Sequence, residues 1–148
     1  MLYGIGAAYS SGTEDHTSTF ISKGIACIGW DSKDAPAFHE MLRQINIGDV
    51  VFLKSFSPKA GLYIKAIGFV TSSKILQPSE TDNLGYAREV AWKFHATRQS
   101  NWLWLGRLQD KYDFMRGGTM YIEMNPDVQA RIIAELLKCE FSSPMQLK

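Results

Sequence analysis

The groups in this chain best suited to chemistry are aromatic rings next to hydrogen-bonding or charged side chains. Trp30 and Asp31 directly follow the apolar run Gly24-Ile-Ala-Cys-Ile-Gly29. A tryptophan at the end of a core strand can stack on a flat heterocycle, a contact of ~1–3 kcal/mol in single-strand nucleic-acid binders. A neighbouring carboxylate can accept a hydrogen bond from a ring N–H or an exocyclic amine, as in the edge-reading of extruded bases. The bland alternative is a core indole and a carboxylate that caps the next helix. Trp92 is a candidate second wall, or a core aromatic. Lys54, Ser55 and Ser57 leave a predicted strand beside a hairpin, where they would meet sugar or phosphate, or be a solvated strand end. Arg88 would pair with a phosphate or with Glu89.

Catalytic patterns are missing. His16, His39 and His95 fall at unrelated spacings, with no His-x-Glu, Cys-x-x-Cys or His-x-x-x-His arrangement for zinc. There is no Gly-x-Ser-x-Gly elbow and no phosphate loop. Glu14-Asp15-His16 reads as a solvated acidic loop, and Glu123 has no matching Asp and Lys on a paired strand. Cys27 and Cys139 form neither a metal spacing nor a disulfide framework, and read as reduced thiols. The expectation is no enzyme, no catalytic residue, no metal and no cofactor.

The elements that must position these residues are short. Leu2–Tyr9, Ile25–Trp30, Val50–Ser55, Leu62–Thr71, Arg88–Phe94 and Thr119–Met124 read as strands, being short apolar runs bounded by turn residues. Phe56–Gly61 joins two of them as a hairpin. Leu62, Ile64, Ala66, Gly68 and Val70 are expected on one face of their strand. Val90, Trp92 and Phe94 are expected on one face of theirs. Thr17–Ser22 reads as a helical turn, with Ser10–His16 and Gln77–Leu84 as loops. Ala35–Ile45 reads as a helix with Pro36 in its first turn and a cap among Ser32–Asp34. Asn125 caps a second helix that starts at Pro126 and runs to Cys139. Ala96–Gly118 fits a helical stripe only in part. Glycines inside the strands mark bulges or close approaches, so the expected fold is a strongly bent β-structure in an α+β domain over residues 1–140. A loose tail is expected over 141–148.

Composition sets limits. The chain has 148 residues, 45% hydrophobic and 21% charged, as in a folded globular domain. Sixteen basic against fifteen acidic residues give +1, which excludes coating nucleic acid by charge alone but leaves room for a local basic groove. Arg88–Arg116 holds six basic and three acidic residues interleaved with Trp92, Trp102, Trp104 and Tyr112. That mixture suits a nucleic-acid groove and equally an amphipathic helix on a barrel. No apolar run reaches the ~18 residues of a membrane span, and the start lacks a secretory pattern. A cytoplasmic location is expected.

Four blocks in order, Gly24–Asp31, Gly48–Phe52, Ala66–Val70 and Arg88-Glu-Val-Ala-Trp92, resemble the PUA-like superfamily and within it the EVE-type domains. The likeness covers roughly residues 2 to 95 and is nearest to the modules that read modified bases in modification-dependent restriction systems. The resemblance implies a small bent β-barrel with covering helices and a pocket for a flipped, often modified, nucleobase. Taken with the reading of the residues above, the expected base-binding set is Trp30, Asp31, Ser55 and Trp92, and the expected backbone set is Lys54, Arg88, Lys93 and Arg98. Expected partners are DNA or RNA carrying a modified base, with an effector protein beside it and no membrane. Two alternatives stand beside this: a binder of a free nucleotide or small aromatic metabolite, and a protein-interaction scaffold with Trp102 and Trp104 at the interface.

Overall fold

The computed structural model describes residues 1–10 and 12–141. Its centre is a curled, mixed seven-stranded sheet. In chain order the strands are β1 (Leu2–Gly6), β4 (Ile25–Ile28), β5 (Val50–Ser57), β6 (Gly61–Val70), β7 (Tyr86–His95), β8 (Leu103–Gly106) and β9 (Met120–Ile122). A separate two-stranded hairpin, β2 (Ala8–Tyr9) with β3 (Glu14–Asp15), leaves the end of β1. The strand order is β4-β7-β6-β5-β1-β9, and β8 pairs with the far end of β6. Only β1 and β5 run parallel; the other pairs are antiparallel, including the expected β5–β6 hairpin.

Three register shifts interrupt the sheet, one of them between β6 and β8 at Leu62–Tyr63 and the other two in its central strands. Between β5 and β6 the register passes from Leu53↔Ala66 to Lys54↔Ile64, leaving Lys65 as the extra residue. Between β6 and β7 it passes from Gly68↔Trp92 to Ile67↔Phe94, leaving Lys93 as the extra one. A one-residue insertion reverses which side chains face inward. The strict alternation expected from the sequence is therefore corrected at both places. Leu62 and Ile64 join an outer apolar cluster, while Ala66 and Val70 belong to an inner one. Trp92 packs on the inner cluster and Phe94 on the outer.

The inner cluster includes Phe20 of α1 (Thr17–Lys23) and Leu42 of α2 (Pro36–Gln44), the two helices that cover it. The outer cluster is covered by α4 (Pro126–Phe141), through Val128, Ile132 and Leu136. Asn125 caps α4 as expected, its Oδ1 accepting from the Asp127 and Val128 N–H groups. The α2 cap differs from expectation: its N-cap is Ala35, one residue past Asp34, and an alanine has no side-chain acceptor to offer the first turn.

The segment that fitted a helix only in part is β8 followed by α3 (Asp113–Arg116), a single turn. The expected tail over 141–148 lies outside the described residues, apart from Phe141 at the end of α4. Among the described residues no helix is long and apolar enough to cross a membrane.

Candidate functional site

β1 ends at Gly6, which lies opposite Lys54, whereas β5 continues to Ser57. Among the described residues, no strand thus lies beside Ser55 and Phe56 on the β1 side. This gap holds a cavity of about 660 Å³, within the range of small-molecule sites. Its walls come from β1 and the following hairpin (Gly6, Ala8, Tyr9), the end of β4 (Gly29, Trp30), β5 (Lys54, Ser55, Phe56), Lys65 on β6, and the run Gly117-Gly118-Thr119 before β9.

Trp30 is half exposed, an unusual state for so large an apolar side chain, and it is held at two points. Its indole N–H donates to Thr119 Oγ1 at 2.8 Å. Its carbonyl accepts from His39 Nε2 at 2.6 Å, on α2, where the His39 ring also meets Tyr86 edge-on. Gly85, at φ +134°, passes so close to the Ile28 carbonyl that a Cβ there would collide with it, which fixes the exit of β4. Tyr9 leans on Gly29, and its hydroxyl donates to the Leu84 carbonyl at 2.8 Å. Burial pushes that phenol up.

The cavity's charge comes from two buried lysines. Lys54 donates to the Arg116 and Gly118 carbonyls at 2.7 and 2.6 Å. An ammonium has three donors, so one remains for a ligand. Burial, and after it the nearby Lys65 charge, lowers the Lys54 pKa to about 8. Lys65 lies 3.6 Å from Asp15 Oδ1, 3.4 Å from Thr17 Oγ1 and 4.5 Å over the Trp102 ring. Burial tends to raise the Asp15 carboxyl, but hydrogen bonds from Thr17 and the Lys65 charge hold it below its usual value. Among the described residues, no carboxylate lines the cavity itself.

No protein-family model, curated protein or solved structure matches this chain. What the site can do therefore follows from its own groups.

Of the eight residues singled out from the sequence, Trp30, Lys54 and Ser55 meet at the cavity. Asp31 lies outside it, exposed, with Oδ1 accepting from the Lys33 N–H in a local turn. Trp92 is half-buried against the inner cluster and donates to the Phe20 carbonyl at 3.1 Å, so it forms no second wall. Arg88 is fully buried. It donates to the Leu42, Ile45 and Ser72 carbonyls and ties α2 and the β6–β7 connection to the sheet, out of reach of a phosphate. Lys54 sits at depth instead of at a solvated strand end. Lys93 and Arg98 are exposed and line no part of the cavity.

Sequence reasoning missed Tyr9, Lys65, Thr119 and His39. A signal for two of them was available: Gly29 beside Trp30 and the Gly117-Gly118 pair before Thr119 both mark places where another group approaches the backbone. Among the described residues, no group of His, Cys, Asp and Glu is placed to hold a metal ion.

Proposed function

We propose that this protein is a nucleic-acid-binding module of the PUA/EVE-like kind that takes one flipped, modified nucleobase into the cavity beside Trp30. The observation that carries this reading is a half-exposed tryptophan, pinned at its indole N–H and at its backbone carbonyl, on the wall of a cavity with two lysines and no lining carboxylate among the described residues. A rigid π-face suits a planar ring. Ammonium donors suit its carbonyl oxygens and the phosphates attached to it. The edge is then read by Lys54 and backbone groups, with Ser55 alongside, instead of by Asp31.

Extruding a base costs a few kcal/mol, which stacking and edge hydrogen bonds must offset. A modification that fills the cavity adds to that side of the balance. The ordered blocks resembling EVE-type domains and the curled sheet with its covering helices support the same reading.

The test is a titration against oligonucleotides carrying one unmodified, 5-methylated or 5-hydroxymethylated cytosine. Selective binding that depends on Trp30 is expected. Equal, weak, salt-limited binding to all of them removes the proposal. A free nucleotide is the second reading, favoured by the near-neutral charge of +1. Indole quenching by mononucleotides with indifference to oligonucleotides would select it.

A further inference from the structure

Beyond the cavity, the outer half of β6 and the facing β8 carry a second aromatic surface. Tyr63 and Trp104 lie directly opposite one another on paired strands, their ring centroids 6.4 Å apart. Trp102 meets Tyr63 edge-on at 6.1 Å. The neighbours of these residues along the strands, Leu62, Ile64, Leu103 and Leu105, pack into the outer cluster, so the three rings stand on the opposite side of the sheet. Trp104 is more than half exposed. Both indole N–H groups are already used, Trp104 on the Ala60 carbonyl and Trp102 on the Ala96 carbonyl, which leaves the ring faces as the surface on offer.

Two facts say what covers this surface. The first is continuity. Lys65 lines the cavity and at the same time sits over the Trp102 ring at 4.5 Å, so rings and cavity share a wall. The second is charge. The stretches 57–69 and 90–109, which supply this end of β6, β7 and β8, contain Lys59, Arg98 and Arg107 and not one Asp or Glu, while the Lys65 between them is paired with Asp15 from the β2–β3 hairpin. Rings interleaved with cations match a strand whose bases stack while its phosphates meet ammonium and guanidinium groups.

We propose that the Tyr63–Trp102–Trp104 surface binds the unpaired nucleotides next to the base held in the cavity, so that the ligand is a single strand and not a duplex. This rests on the cavity reading and adds a separate site to it. The whole-molecule charge agrees, since +1 is low for a protein that must grip a duplex backbone.

The experiment uses fluorescein-labelled 9-mers with a central 5-methylcytosine or 5-hydroxymethylcytosine, as single strands and as duplexes, together with the matching 5′-mononucleotides. Single strands should bind at least tenfold tighter than duplexes. Trp104→Leu should weaken single-strand binding roughly 5- to 150-fold, the loss of one stacked base. Trp104→Phe should restore most of it, and mononucleotide binding should not change in either variant. The inference is overturned if Trp104→Leu keeps single-strand affinity, if strand and duplex bind equally, or if the variant changes only self-association in sedimentation. Strand binding that survives Trp30→Ala but not Trp104→Leu would keep this site and remove the cavity reading. Failure of every oligonucleotide and mononucleotide to bind removes both.

Discussion

The indole N–H of Trp30 donates to the hydroxyl of Thr119, a residue 89 positions further along the chain, at 2.8 Å. This bond joins the exit of β4 to the entry of β9 and fixes the plane of the ring against the cavity. Trp30→Ala should weaken ligand binding by ~1–3 kcal/mol, the value of one stacked ring. Trp30→Phe should lose less. Thr119→Val should cost about 1 kcal/mol or below, because the half-exposed N–H can turn to water. Anisotropy titrations of the three variants separate these cases; equal affinity in Trp30→Ala would show that the ring is not a binding surface.

Lys54 gives the site a pH dependence of predictable sign. Its pKa is lowered to about 8 by burial and by Lys65, so the free protein presents a charged donor below that pH and loses it above. Affinity for a base with a carbonyl edge should therefore be full near pH 7 and fall as the pH rises through about 8. Lys54→Met should bind more weakly at pH 7 and show a flat profile between pH 7 and 9. An unchanged profile in Lys54→Met would rule out this ammonium as the donor.

Arg88 is a structural arginine. Its guanidinium donates to three backbone carbonyls, those of Leu42 and Ile45 at the end of α2 and that of Ser72 in the β6–β7 connection. Arg88→Ala leaves the Leu42 and Ile45 carbonyls buried and unpaired and should destabilise by on the order of 2–4 kcal/mol, read as a fall in the urea midpoint. Arg88→Lys should recover only part, since an ammonium cannot reproduce the planar fork. A midpoint within error of the parent would contradict this assignment.

Acid sensitivity should centre on Arg116. This fully buried guanidinium is ringed by Asp110, Asp113 and Glu123. The hydrogen bonds from Arg116, with those from Asn125 and the Tyr112 N–H, hold the Asp110 carboxyl at about 2. Because that value lies below the unfolded one near 4, the stability it supplies is complete above pH 4 and is lost as the pH falls towards 2. After solvent screening the contribution is on the order of 1–2 kcal/mol. Thermal melts of Asp110→Asn should show a lower Tm near neutrality and a shallower decline from pH 4 to 2. Parallel curves for the two proteins would refute the role.

How much of this could be read from the residues depends on where the chain departs from simple alternation. The β5–β6 hairpin and α4 were legible, since each rests on local pattern and turn chemistry, whereas the residues left Trp30 open between a core indole and an exposed ring. The bulges at Lys65 and Lys93 were not legible. Strict period two puts Leu62 with Ala66 and Trp92 with Phe94, and only pairing with neighbouring strands shows that Lys65 and Lys93 are extra. Trp102-Leu-Trp-Leu105 does alternate with the period of a strand, but four residues bounded by irregular chain gave a weak signal beside a partial helical stripe. The cavity floor was hidden for a related reason. A lysine within an apolar strand looks like a surface residue until its ammonium is seen bonded to the Arg116 and Gly118 carbonyls. Arg88 misled in the opposite direction, because backbone carbonyls leave no trace in side-chain patterns.

β5 and β6 contribute side chains to both apolar clusters, Val51 and Leu53 with Val50 and Phe52 on one strand, Ala66 and Val70 with Ile64 and Ile67 on the other. Neither half of the molecule can melt while the other stays intact, since each would have to surrender the same two central ribbons. Heat or denaturant should thus take the protein apart in one concerted step. A guest seated at the end of those ribbons would slow amide exchange well away from its own footprint.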